Sequence, residues 1–113
     1  KNGAPNLDSD YGLFSGCSAL EEVWVARSTF GTYCFRLCTS LKVVTLGRVG
    51  LAVTRLDRIF DNNVMTVERI TCYVNAETIA EIPTSVTENI VPYMCPNATI
   101  IYRNSATGEV ITE

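Results

Sequence analysis

The chain has 113 residues, 47% of them hydrophobic and 19% charged, with a formal net charge of −3. That is one domain's worth of globular, ordered chain, and a charge this small, with no basic run, argues against nucleic acid or an anionic membrane as partner. No histidine is present, which removes the commonest general base and metal ligand, and no apolar run reaches the roughly 18 residues of a membrane span. The first residue is Lys1, with neither an initiator Met nor a signal peptide, so the expectation is a piece of a longer or processed protein.

Residues 1–12 are rich in turn formers and read as a lead-in segment, with Leu7 and Tyr11 as anchors. Asp8-Ser-Asp10 invites a calcium-loop reading. Counting from Asp8 puts Leu13 where the loop needs Gly and Ala19 where it needs Glu, and counting from Asn6 fails in the same way. The stretch is therefore a solvated turn.

From Leu13 the chain says one thing twice. Phe14, Cys17, Leu20, Val23 and Val25 return 21 residues later as Phe35, Cys38, Leu41, Val44 and Leu46. A period of this length implies stacked supersecondary units. Leu20-x-x-Val23-x-Val25 ends in the alternation of a half-buried strand, with Leu20, Val23 and Val25 inward and Glu22, Trp24 and Ala26 on the outer face. Ser18-Ala-Leu-Glu21 matches a helix capping box, but the β-rich run behind it favours the strand. Arg27 to Phe35 is the return path, with Phe30, Cys34 and Phe35 as its apolar contacts. The second strand, Leu41-x-x-Val44-x-Leu46, turns Val43, Thr45 and Gly47 outward.

The second return runs from Arg48 to Ile59, and the spacing of Val53, Leu56 and Phe60 predicts one or two turns of helix. A third, less regular unit begins at Phe60. Asn63 falls where Cys17 and Cys38 stood, one residue is inserted within 64–66, and Val67-x-x-Ile70-x-Cys72 repeats the strand with Arg69, Thr71 and Tyr73 outward. Beyond Tyr73 the repeat decays. A short helix over 76–82, capped by Asn75 and stopped before Pro83, is expected next, then a one- or two-turn helix opened by the capping box Ser85-Val-Thr-Glu88. Thr99-Ile-Ile-Tyr102 reads as a last strand, and Ser105 to Gly108 as a turn. The division is thus a lead-in over 1–12, about three repeats over 13–73 and an atypical C-terminal cap over 74–113, one domain in all.

Phe30-Gly-x-x-Cys34-Phe35-x-x-Cys38-Thr-Ser-Leu41-x-x-Val44-x-Leu46, preceded by Phe14-Ser-Gly-Cys17-Ser-Ala-Leu20, resembles the BspA-type leucine-rich repeat, whose familiar form is Ile-Gly-x-x-Ala-Phe-x-Gly-Cys-Ser/Thr-Ser-Leu-x-x-Val-x-Ile. The likeness covers about residues 13–73. Cys34 stands where the family has Ala, Leu37 where it has Gly, and Asn63 where it has Cys. The resemblance implies an α/β solenoid with one short parallel strand per coil, returned by loops, 3-10 turns or short helices. Proteins of this kind are typically bacterial cell-surface adhesion and protein-binding proteins, with some in parasitic protists. It implies no catalytic residues and no cofactor.

The residues agree with a non-enzymatic reading. The five cysteines, Cys17, Cys34, Cys38, Cys72 and Cys95, are an odd count outside any familiar disulfide framework, and Cys34-x-x-x-Cys38 is not a zinc spacing. Cys17, Cys38 and Asn63 are read as a structural ladder at one turn of each unit, Cys72 as an inward strand residue, and Cys95, beside Pro96, as the thiol most open to reaction. Asp57 and Asp61 lie among Arg55 and Arg58 as a salt-bridged surface, and without His no nucleophile has an evident base. No metal site is expected. Asn97-Ala-Thr99 is a glycosylation sequon with meaning only in a secreted eukaryotic protein.

Functional content concentrates on the outer strand face: Glu22 and Trp24, then Val43 and Thr45, then Arg69, Thr71 and Tyr73. Exposed Trp, Tyr and Arg dominate interface energetics. The expected function is an interaction module binding a protein or glycan through this face at the cell surface or after secretion. The rival is a structural spacer or capping domain of a larger surface protein, with Trp24 packed on a neighbouring segment.

Overall fold

The computed structural model describes residues 16–30, 35, 38–56, 66–88 and 97–112. Among the described residues six strands carry the fold: β1 (Glu22–Val25), β2 (Thr29–Phe30), β3 (Val43–Leu46), β4 (Arg55–Leu56), β5 (Arg69–Val74) and β6 (Thr99–Asn104). A 3-10 turn (Ile79–Glu81) and one short helix, α1 (Thr84–Thr87), lie between β5 and β6. The class is α/β, with a parallel sheet of several strands and few helical turns.

The main sheet has the order β1-β3-β5-β6 and every pairing in it is parallel. Its register follows the sequence landmarks. Val23 lies beside Val44 and Val25 beside Leu46, an offset of 21 residues. Val44 then lies beside Ile70 and Leu46 beside Cys72, so the inserted residue and the longer return are absorbed before β5 begins. A one-residue slip would carry Val44 and Leu46 to the opposite face. Their burial, 0% exposed for each, makes such a slip expensive. Removing an aliphatic side chain of this size from water contributes about 1.5–3 kcal/mol.

Outside the strand the same rung is built from a tight turn. Leu20 N–H donates to Cys17 O at 3.1 Å, and Leu41 N–H donates to Cys38 O at 3.2 Å. Cys38 is buried and Cys17 half-buried, and neither is in a disulfide. Burial raises the Cys38 thiol above its usual pKa, against the lowering effect of a hydrogen bond from the Cys17 backbone and with a smaller upward push from the Cys17 thiol. Cys72 faces inward as a buried free thiol, pushed up to about 12 by burial.

A second, two-stranded parallel sheet pairs β2 with β4, with Thr29 beside Arg55 and Phe30 beside Leu56. It corrects the first part of the helix expected from the Val53/Leu56 spacing, because none of residues 53–56 is helical and Arg55–Leu56 is a strand; the remainder, to Phe60, lies outside the described residues. Val53 N–H donates to Tyr73 O and Thr54 N–H to Ser28 O, each at 2.7 Å. The Thr54 hydroxyl donates to the same Ser28 carbonyl at 3.1 Å. Neighbouring chain thus supplies backbone partners that one isolated helical turn, marginal by itself, would have to find internally. Val53 and Leu56 are still core residues, at 1% and 0% exposure.

Two further corrections fall between β5 and β6. The helix expected over 76–82 is a single 3-10 turn that starts after Thr78, so Asn75 is not its cap, although it does end before Pro83. The Glu81 carboxylate accepts from Glu77 N–H at 2.9 Å and so ties down the segment that would have been the helix's first turn. In α1, Pro83 occupies the N-cap position and Ser85 lies inside the helix. Ser85 is no cap: its hydroxyl donates to Thr54 O at 2.8 Å, docking α1 on the segment before β4. Val86 fills the apolar position beneath, fully buried. The capping-box spacing is therefore coincidental, and a tertiary hydrogen bond claims the hydroxyl.

β6 lies beside β5 in the main sheet, Ile70 against Ile100 and Cys72 against Tyr102. The expected turn follows it, with Gly108 at φ +82°, and the chain folds back so that Asn104 N–H donates to Glu109 O and Ile111 N–H to Tyr102 O, each at 2.8 Å. Leu7, Tyr11, the Asp8–Asp10 turn, Cys34, the Asp57/Asp61 pair with Arg58, Phe60, Asn63 and Cys95 lie outside the described residues.

Candidate functional site

Alternation along four parallel strands places one side chain in two on the face away from the core. Glu22, Val43, Arg69 and Thr99 form one row across the sheet, and Trp24, Thr45, Thr71 and Ile101 form the next. Tyr73 and Arg103 lie side by side beyond them on β5 and β6. Every residue singled out in the sequence, Glu22, Trp24, Val43, Thr45, Arg69, Thr71 and Tyr73, lies on this face.

Their exposure differs. Trp24 is 65% exposed and Glu22 and Arg69 are exposed, while Val43, Thr45 and Tyr73 are half-buried. Thr71 is only 8% exposed. Lying between Thr45 and Ile101 in its row and between Arg69 and Tyr73 along its strand, it offers little surface to a ligand. It forms the floor beneath the residues around it.

Trp24 is held despite its exposure. Its indole Nε1 donates to Gly47 O at 2.7 Å, across the sheet on the turn that closes β3. Gly47 has φ +82°, and a Cβ there would come within 2.8 Å of Leu51 O and 3.2 Å of Tyr73 Cβ. The glycine thus forms a low saddle with Trp24 on one side and Tyr73 on the other. The turn is pinned in its own right, since Gly47 N–H donates to Val25 O at 2.9 Å and Gly50 N–H to Ser105 O at 2.8 Å.

Sequence reasoning missed the third edge of the face. Thr99, Ile101 and Arg103 enter it from β6, and the signal was available: Ile100 and Tyr102 keep the inward parity of Ile70 and Cys72. The guanidinium of Arg103 donates to Gly108 O at 2.7 Å. Charge therefore runs from Glu22 on the β1 side to Arg69 and Arg103 on the β5 and β6 side.

Chemistry is harder to place. A polar groove of about 360 Å³ lies past the C-terminal end of β5, lined by Asn75, Ala76, Glu77, Glu81, Asn104 and Ala106. Its Glu81 carboxylate already accepts from the backbone, and Asn104 Oδ1 accepts from Ala106 N–H at 2.8 Å. Among the described residues no three His, Cys, Asp or Glu side chains group as a metal site, and no helix is long and apolar enough to cross a membrane. Comparison of the chain with protein-family models, with curated proteins and with solved structures gave no match. The distinctive geometry of the molecule is that of the sheet face.

Proposed function

We propose that this chain is a non-enzymatic interaction module of the leucine-rich-repeat kind, a solenoid of short coils that binds a protein or glycan through the open face of its parallel sheet. The observation that carries the reading is Trp24, two-thirds exposed on that face and oriented by the hydrogen bond to Gly47. An exposed aromatic fixed in advance loses little side-chain freedom on binding, which is what makes such residues effective anchors. Tyr73 across the glycine saddle and Arg69, beyond Thr71 on the same strand, supply a second aromatic and a cation. The ring faces suit the apolar side of a sugar or an aliphatic side chain, and the guanidinium suits a carboxylate.

Support for the repeat architecture comes from the resemblance around Phe14–Leu46 and from the parallel register at the repeat offset. The same resemblance supports a place at the cell surface or in secretion. Glycan-array and protein pull-down binding by the chain, compared with Trp24→Ala of unchanged circular dichroism, tests the proposal. The expected result is a ligand whose binding falls by about tenfold or more in the variant. Equal binding by both proteins, or none to any candidate, would overturn it in favour of a spacer.

A further inference from the structure

Among the described residues β1 is the outermost strand of the main sheet, and its burial differs from that of its neighbours. Leu41, Val44 and Leu46 on the β3 rung are all 0% exposed, whereas their counterparts Leu20, Val23 and Val25 are only partly buried against the core. Among the described residues the backbone is open on the same side. Glu21 O and Val25 O accept from β3 and the Gly47 turn, so by the alternation of a parallel ladder the amides and carbonyls of Glu22 and Trp24 point away from the sheet. Among the described residues no hydrogen bond engages them. An edge of this kind is a template for another strand.

Alternate positions of this segment are Glu21 and Arg27, which flank the strand, and Val23 and Val25 within it. Reversed, this row reads Arg, Val, Val, Glu, so it is complementary in charge to itself run antiparallel. The equivalent row on the next rung, Lys42, Val44, Leu46, Arg48, carries like charges at both ends and lacks this property. Two identical antiparallel strands keep their apolar side chains on one face only if the paired residue numbers add to an even sum. A sum of 46 sets Glu21 against Val25, and a sum of 50 sets Val23 against Arg27. A sum of 48 sets Glu21 against Arg27, Val23 against Val25 and Trp24 against Trp24.

We propose that the β1 edge is a homodimerisation surface, in which β1 of a second copy adds antiparallel in the register that pairs Glu21 with Arg27 of that copy. The two four-stranded sheets then become one, across a two-fold axis perpendicular to the sheet at Trp24. The two outer faces become continuous, so a ligand site on one copy would adjoin its twin. Trp24 N–H and C=O exchange hydrogen bonds with their equivalents at the axis, and Leu20, Val23 and Val25 are covered on the inner side. The edge strand is only four residues long, and so short a contact places the dimer at the weak, reversible end of the range.

Sedimentation velocity of the full chain over about 1–100 μM tests this, a range suited to a small interface. The expected wild-type result is a monomer–dimer equilibrium. Glu21→Arg and Arg27→Glu should each weaken it by about tenfold, and the double variant should restore it, because the opposite charges are then exchanged and not lost. Glu22→Pro removes an amide that points away from β3 and should abolish dimer while leaving the circular dichroism unchanged. A monomer at every concentration overturns the proposal. So does a dimer that ignores Glu22→Pro, or one that the double variant fails to restore.

Discussion

Trp24 Nε1 donates to Gly47 O at 2.7 Å, so the most exposed aromatic of the sheet face is joined to the turn that follows the neighbouring strand. The bond links two successive segments of the chain through a side chain, where the sheet links them through the backbone. It fixes the direction of a ring that packing alone leaves open, and the turn it uses is anchored to β1 and to Ser105.

Trp24 is the only tryptophan in the chain, which makes it its own probe. With 65% of the residue exposed, its fluorescence should be readily quenched by acrylamide in the native protein. Trp24→Phe keeps an aromatic ring and removes the donor, and should lower stability by about 1 kcal/mol in urea unfolding. A ring already shielded from acrylamide in the native chain would contradict the orientation described.

Gly47 and Gly16 both have φ +82°, but only one is crowded. A Cβ at Gly16 meets nothing within 4 Å, whereas at Gly47 it would meet backbone at 2.8 Å. Gly16→Ala should therefore cost about 1 kcal/mol, the strain of the left-handed conformation. Gly47→Ala should cost clearly more, because the Leu51 carbonyl cannot give way as a flexible side chain would. Thermal melts of the two variants side by side decide it, and equal losses would contradict the saddle geometry.

Leu20 and Leu41 occupy the same position of successive repeats, yet Leu41 is fully buried and Leu20 partly so. Leu41→Ala should cost about 2–5 kcal/mol, within the range for a core leucine, and Leu20→Ala about half as much. If denaturant midpoints showed the two losses to be equal, the β1 rung would be as well covered as the β3 rung.

Alkaline pH should loosen the fold through Cys72 and Tyr102, which are register partners on β5 and β6. Burial raises Cys72 from its ordinary 9.0 to about 12. Burial first, and the neighbouring Cys72 thiol second, raise Tyr102 from 10.0 to about 12. Both groups are neutral when protonated, so in the unfolded chain they lose their protons first. Stability is then complete below about pH 9 and falls as pH rises toward 12. Melting temperature should decline over that window, and less so in Cys72→Val, which keeps the volume but not the proton. A Cys72→Val profile as steep as the wild type would assign the loss elsewhere.

The strand residues and their parity were legible in the chain because side-chain alternation has a period of two and the landmarks of the first two strands recur 21 residues apart. Val23 and Val44 therefore point to each other by spacing, Ile70 by the strand pattern Val67-x-x-Ile70-x-Cys72, and the outer face follows from the alternate positions Glu22, Trp24 and Arg69. The segments around them were not legible. Val53 and Leu56 have the spacing of a helix but neither is helical, because Ser28 and Tyr73 offer backbone partners from distant parts of the chain. Ser85 has the spacing of a cap but donates to Thr54. Short segments carry too few local hydrogen bonds to choose their own conformation, so tertiary partners choose it for them. The same holds for exposure: alternation put Thr71 and Trp24 on one face, but only the assembled sheet buries the first between neighbouring strands and leaves the second open at the edge.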